Sequence, residues 1–159
     1  MKKHGPWNTD DFDLMSWHDV HVHGFKLVDF ADDEGAADVL LDIDYILNWE
    51  QTDNEFLFTV CRAELRFHKV FGMKFELDYA TPKAGMCPFS IDVIERKPLE
   101  FPTGYKSFYW RISINWPRGF IEFQASGFNQ IMLDEPIQQK DQMLSSEKRK
   151  IKNITSRSR

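Results

Sequence analysis

This chain has little cysteine, no long apolar run and no apolar stripe at helical spacing through its body. Each lack removes a class of protein. The 159 residues hold two cysteines, Cys61 and Cys87. Two are too few for a disulfide framework, and the polar start carries no apolar leader segment. The expectation is a cytoplasmic protein with both thiols reduced. No stretch approaches the roughly 20 consecutive apolar residues of a membrane-spanning helix, so no membrane partner is expected. The 8 glycines are scattered, which leaves no phosphate-cradling loop. No G-x-S-x-G elbow is present. Without helical spacing between positions 12 and 137, a doubly wound α/β fold lacks its helices.

What is abundant points to sheet. Aromatic residues make up 14% of the chain, with 14 Phe and 5 Trp, and large flat side chains favour pleated surfaces. Val39, Leu41, Ile43, Tyr45, Leu47 and Trp49 alternate with Asp42, Asp44 and other residues. Period two puts one apolar set on one face and both aspartates on the other. Similar alternation predicts strands over 20–30, 56–70, 73–79, 90–95, 108–116, 120–125 and 128–133. Phe56, Phe58 and Val60 disturb the parity of the third run, which predicts a bulge or a doubly buried end. Gly72 is expected to break the chain between the third and fourth runs. The predicted fold class is all-β and mainly antiparallel. Turn signals at short spacing suggest a β-sandwich or open barrel of seven or eight strands. Residues 12–137 form the single domain in this reading. Residues 138–159 form a basic tail, flexible or helical, with 136–150 the only stretch able to make a C-terminal helix.

Charge is unevenly placed. Of 20 basic and 25 acidic residues, seven and two respectively fall in 138–159, which leaves a net charge of −10 on residues 1–137. An acidic body repels nucleic acid and attracts basic partners. Tyr105, Lys106, Tyr109 and Arg111 mix aromatic and basic character, but Phe108 and Trp110 share a face with Ile112 and Ile114, so core packing is the better account. No nucleic-acid partner is expected.

Few residues have the types and spacing for chemistry. His21 and His23 point the same way on a strand, the geometry of an H-x-H metal pair. Asp19-x-His21-x-His23 resembles the first metal strand of amidohydrolases, but those enzymes need a barrel of eight strand–helix units, and the helices are missing. A small all-β metal site would use His21, His23 and a carboxylate such as Asp42 or Asp44. Histidines on a polar strand face are the ordinary alternative. Asp42 and Asp44 sit two positions apart and suit paired acid–base work where their environments differ. Cross-strand pairing with Arg62, Arg66 or Arg111 is the ordinary reading. Asp29, Asp32, Asp33 and Glu34 precede Gly35 without the spacing of a calcium loop, so a solvated hairpin turn is expected. Cys87 lies in a loop with no base in view. Ser16, His18 and Asp19 lie too close in sequence to converge as a triad. No cofactor is expected.

The strings Ser16-Trp17-His18-Asp19, Leu41-Asp42-Ile43-Asp44-Tyr45-Ile46 with Trp49, and Gly127-Phe128-x-Gln130 followed by Pro136 belong together. Over residues 14–136 the chain resembles a group of short bacterial β-rich proteins that have no established activity. It is similar in type to the immunity proteins of bacterial toxin systems. That resemblance implies a toxin-neutralising protein-binding module. The candidate binding residues are Asp42, Asp44, Trp17, His18 and Asp19, and the expected partner is a basic protein. Two other readings stand beside it. One is a metal-binding protein or metal-dependent enzyme built on His21 and His23. The other is a small-ligand-binding β-barrel.

Overall fold

The computed structural model describes residues 4–150. These residues form nine strands: β1 (Trp7–Asn8), β2 (His21–Ala31), β3 (Ala36–Gln51), β4 (Phe56–Leu77), β5 (Phe89–Glu100), β6 (Lys106–Trp116), β7 (Gly119–Ala125), β8 (Gly127–Met132) and β9 (Ile137–Gln139). All pairings are antiparallel. The described residues are thus mostly antiparallel β-sheet, as the alternation predicts, with a short helix at their C-terminal end.

The strands make one sheet that curls back on itself. Its path runs β4, β3, β2, β5, β6, β7, and β7 pairs again with β4. The ring is irregular. β2 and β5 share only two register pairs, His21 with Ser90 and Val22 with Phe89. Beyond that point β2 parts from its neighbour.

β4 explains how the sheet curls. The expected break at Gly72 is instead a bend within one long strand. Lys69 and Gly72 have φ of 52° and 60°, conformations that glycine adopts without a Cβ clash and that bulges exploit to turn a strand. Through Val70, β4 pairs with β3, and from Phe71 it pairs with β7. The disturbed parity near residue 58 has two sources. A bulge in β3 lies between Ile46 and Asn48, opposite Val60 and Thr59. In addition, β9 pairs with residues 58–60 of β4. Val60 and Cys61 are both buried as a result.

The fold extends past the expected 12–137 at both ends. Trp7 is buried and meets Tyr45 edge-on at 5.3 Å. Of the 136–150 stretch able to form a helix, Ile137–Gln139 is strand, and helix begins only at residue 146. The start of β4 offers a strand edge, and that edge recruits Ile137 into the sheet.

The core gathers the large side chains inside the ring. Trp110, Phe67, Phe123 and Phe128 are almost wholly buried. Phe67 packs against Trp110 at 5.1 Å and Phe123 at 4.8 Å, both near-perpendicular. Such pairs contribute roughly 0.5–1.5 kcal/mol beyond their area. The Trp110 indole N–H reaches the Ala125 carbonyl at 3.1 Å. No helix among the described residues is long and apolar enough to cross a membrane.

Candidate functional site

The polar residues singled out by the sequence divide into two groups. Trp17 is structural. It is buried, its indole N–H donates to Gln130 Oε1 at 2.8 Å, and its ring meets Phe128 at 5.6 Å. Two of the strings that carry the resemblance therefore touch. Gly127, in the second of them, has no room for a Cβ, because one built there falls 2.2 Å from Thr9 Oγ1. That hydroxyl accepts the Phe128 N–H at 2.9 Å, so this part of the pattern is explained by packing. His18 is half exposed, 3.7 Å from Asp92, with its ring 6.2 Å from Trp49.

The second group converges on Asp44. In register, His21 stands opposite Asp44, and Gly24 stands opposite Asp42. His23 is the extra residue of a bulge between Val22 and Gly24, and its Nε2 lies 2.7 Å from Asp44 Oδ2. The outer face of β3 at this level is covered by the C-terminal segment. The Leu144 backbone N–H donates to Asp44 Oδ2 at 2.9 Å, and Leu144 itself is buried. Arg149 bonds to Asp44 and also to Asp42, the latter at 2.6 Å. Arg62 grips Asp42 with Nε at 3.2 Å and Nη2 at 3.3 Å, the fork that a guanidinium offers a carboxylate. Asp19, held at a φ of 61°, anchors the same segment by accepting from Gln142 at 3.0 Å. It also accepts from Asn115 at 3.1 Å and lies 3.2 Å from His18.

Charge on these groups follows from their partners. Burial works against the charge on Asp42, yet the Arg62 and Arg149 guanidiniums outweigh it and hold the carboxyl below its ordinary value. Burial holds the His21 imidazole below its ordinary value, against the pull of Asp44. The His21 Nδ1 is buried with no hydrogen-bond partner among the described residues. This is the form of histidine that stays neutral near pH 7.

The chemistry open to this cluster is narrow. Asp44 is fully buried and receives a ring nitrogen, a backbone N–H and a guanidinium. Both of its oxygens are engaged, and its neighbour Arg149 carries a positive charge. Among the described residues, no group of three His, Cys, Asp or Glu could hold a metal ion. Of the predicted cross-strand arginines, Arg62 pairs with Asp42, Arg66 with Asp38 at 2.7 Å, and Arg111 with Glu122. Arg149, Leu144 and Gln142 are the participants that alternation does not reveal. The only sequence signal for them is the basic end of an otherwise acidic chain. The Cys87 thiol faces the Ala84 carbonyl at 3.6 Å.

No protein family, curated protein or solved structure matches this chain.

Proposed function

We propose that this chain is a non-enzymatic protein-binding module for a basic partner, with a toxin-neutralising role of the immunity type. The observation that carries the reading is where the negative charge goes. Residues 1–137 carry a net charge of −10, yet Asp42 and Asp44, the carboxylates best spaced for catalysis, are consumed by Arg62, Arg149, His23 and the Leu144 N–H. The acids left facing solvent include Asp32, Asp33 and Glu34 at the β2–β3 turn. They form no ion pair among the described residues. Such charges steer an oppositely charged protein and orient its encounter. A cytoplasmic setting accords with two thiols that form no disulfide.

The test is gentle purification from the native cell at low salt, read by mass spectrometry. The expected result is a stoichiometric basic protein that dissociates as ionic strength rises, because screening weakens exposed charge pairs first. Co-expression with that partner is expected to suppress its toxicity. Recovery of free monomer alone overturns the reading.

A further inference from the structure

We infer that the open edge of β2, over residues 24–30, docks an extended segment of a partner polypeptide that is basic at the end lying beside the β2–β3 turn. The inference rests on the protein-binding reading above and names its surface.

One edge of β2 is bonded to β3 from His21 to Val28 and again at Ala31, with irregularities at His23 and at Asp29–Phe30. The other edge meets β5 only at His21 and Val22. Among the described residues, nothing pairs with that edge from position 24 to 30. Seven residues of strand run about 23 Å, and the backbone groups of alternate residues along that edge are unfilled. Such an edge is a template for another strand.

The side chains beside it are those of an unfinished core. Phe25 and Leu27 stand opposite Leu41 and Val39 in register, so they share the core-facing side of the sheet. Leu41 and Val39 are buried, yet Phe25 and Leu27 are 37% and 38% exposed. On the bent half of β4, Met73 and Phe75 are 36% and 39% exposed. The Phe25 and Phe75 rings touch at 5.5 Å. One hollow of about 410 Å³ lies toward Val22 and Leu77, and another of about 370 Å³ lies toward Phe30 and Met73. Phe30 is 66% exposed at the mouth of the second.

Three features select the occupant. Open main-chain groups favour a peptide, which satisfies them, over a small apolar ligand, which leaves them bare. The carboxylates of Asp32, Asp33 and Glu34 lie exposed next to Phe30, whereas Lys26 is the single basic side chain in residues 24–30. This sets the sign of the partner at that end. A second copy of this chain brings a net charge of −5 and no basic end to its own β2, so complementarity disfavours self-pairing.

The probe is a synthetic peptide of about eight alternating valines and threonines, preceded by lysines. One control replaces the lysines with glutamates, and another carries N-methyl groups on alternate amides. The lysine peptide is expected to slow hydrogen exchange at residues 24–30 by at least about tenfold. The N-methylated peptide is expected to lose that effect, and the glutamate peptide is expected to bind more weakly. The combined variant Asp32→Asn, Asp33→Asn and Glu34→Gln, placed on an exposed turn, is expected to weaken the lysine peptide at least threefold with an unchanged circular dichroism spectrum.

Equal binding of the N-methylated peptide overturns the inference in favour of simple cleft occupancy. Protection of this edge that grows with protein concentration overturns it in favour of a second copy. Protection confined to other strands also overturns it. A native partner that is recovered while the probe fails removes only the surface assigned here. The absence of any native partner removes the function beneath it.

Discussion

β2 begins sealed and ends open. At its start, His21 and His23 lie with Asp44 under a cover that the chain supplies from 100 residues further on, through Leu144. Past Gly24, Phe25, Leu27 and Phe30 face a gap that no described part of the chain closes. The sealed half is the more polar and the open half the more apolar, the reverse of what simple partitioning predicts. The difference lies in the cover. A buried carboxylate is tolerable only where donors meet it, and the C-terminal segment brings a guanidinium and a backbone N–H to do so. An apolar strand end without such a cover stays wet, which is how binding surfaces arise.

The strongest way to break this comparison is at Asp44. Replacement by alanine leaves His23 and the Leu144 N–H without their acceptor and leaves Arg149 with Asp42 alone. Breaking a buried ion pair by removing one partner typically costs about 3–5 kcal/mol, and Asp44→Ala is expected to lower stability in urea by that order. Asp44→Asn keeps an acceptor oxygen and is expected to cost less. A loss below about 1 kcal/mol in the alanine variant, the size of an ordinary substitution, would mean that the cover is ornamental.

Much of this was legible in the residues themselves, and what was not has a definite cause. Alternation from Val39 to Trp49 marks a strand because the side chains of a pleated ribbon take turns between faces. The buried Trp110, Ile112 and Ile114 follow from the same rule. The rule is silent on which face is covered and by what. Asp42 and Asp44 read as a polar pair on the outer face, yet distant contacts with Leu144 and Arg149 bury Asp44 and leave Asp42 only partly exposed. Gly72 reads as a break because glycine often ends strands, whereas pairing with β7 carries β4 through it. Trp17 reads as a candidate binding residue in a polar string, yet its indole finds Gln130 across 113 positions. Long-range partners are set by tertiary packing, which local pattern does not encode.

Acidity tests the sealed half more gently. Burial holds His21 below its ordinary value near 6.5. As pH falls, the unfolded chain therefore takes up this proton before the folded one does. Stability from this group is complete above about 6.5 and declines from there toward the lower folded value. Asp38 and Asp42 follow the same sign at lower pH. For each, burial is outweighed by donors, the Lys69 N–H and Arg66 at Asp38, and Arg62 and Arg149 at Asp42. Both carboxyls are held low, so their contribution is lost below about 4. His21→Gln is expected to abolish the first decline and keep the second, as read by urea midpoints at stepped pH. A native profile that stays flat between neutral pH and about 5.5, where an ordinary histidine titrates, contradicts this account.

The smallest effect belongs to the open half. Phe30 is 66% exposed, so replacing it with serine removes little buried area. Surface changes of this kind usually stay within about 0.5 kcal/mol. Phe30→Ser is expected to leave the urea midpoint almost unmoved, although it deletes a large aromatic ring. A cost of about 2 kcal/mol or more, the size of a core truncation, would place the ring in the folded interior. The gap beside β2 would then be closed in solution, and the contrast between its two ends would disappear. An unmoved midpoint combined with reduced peptide protection would separate surface from core at one position. Phe30 would then serve recognition and not folding, as its place beyond the last covered turn of the strand implies.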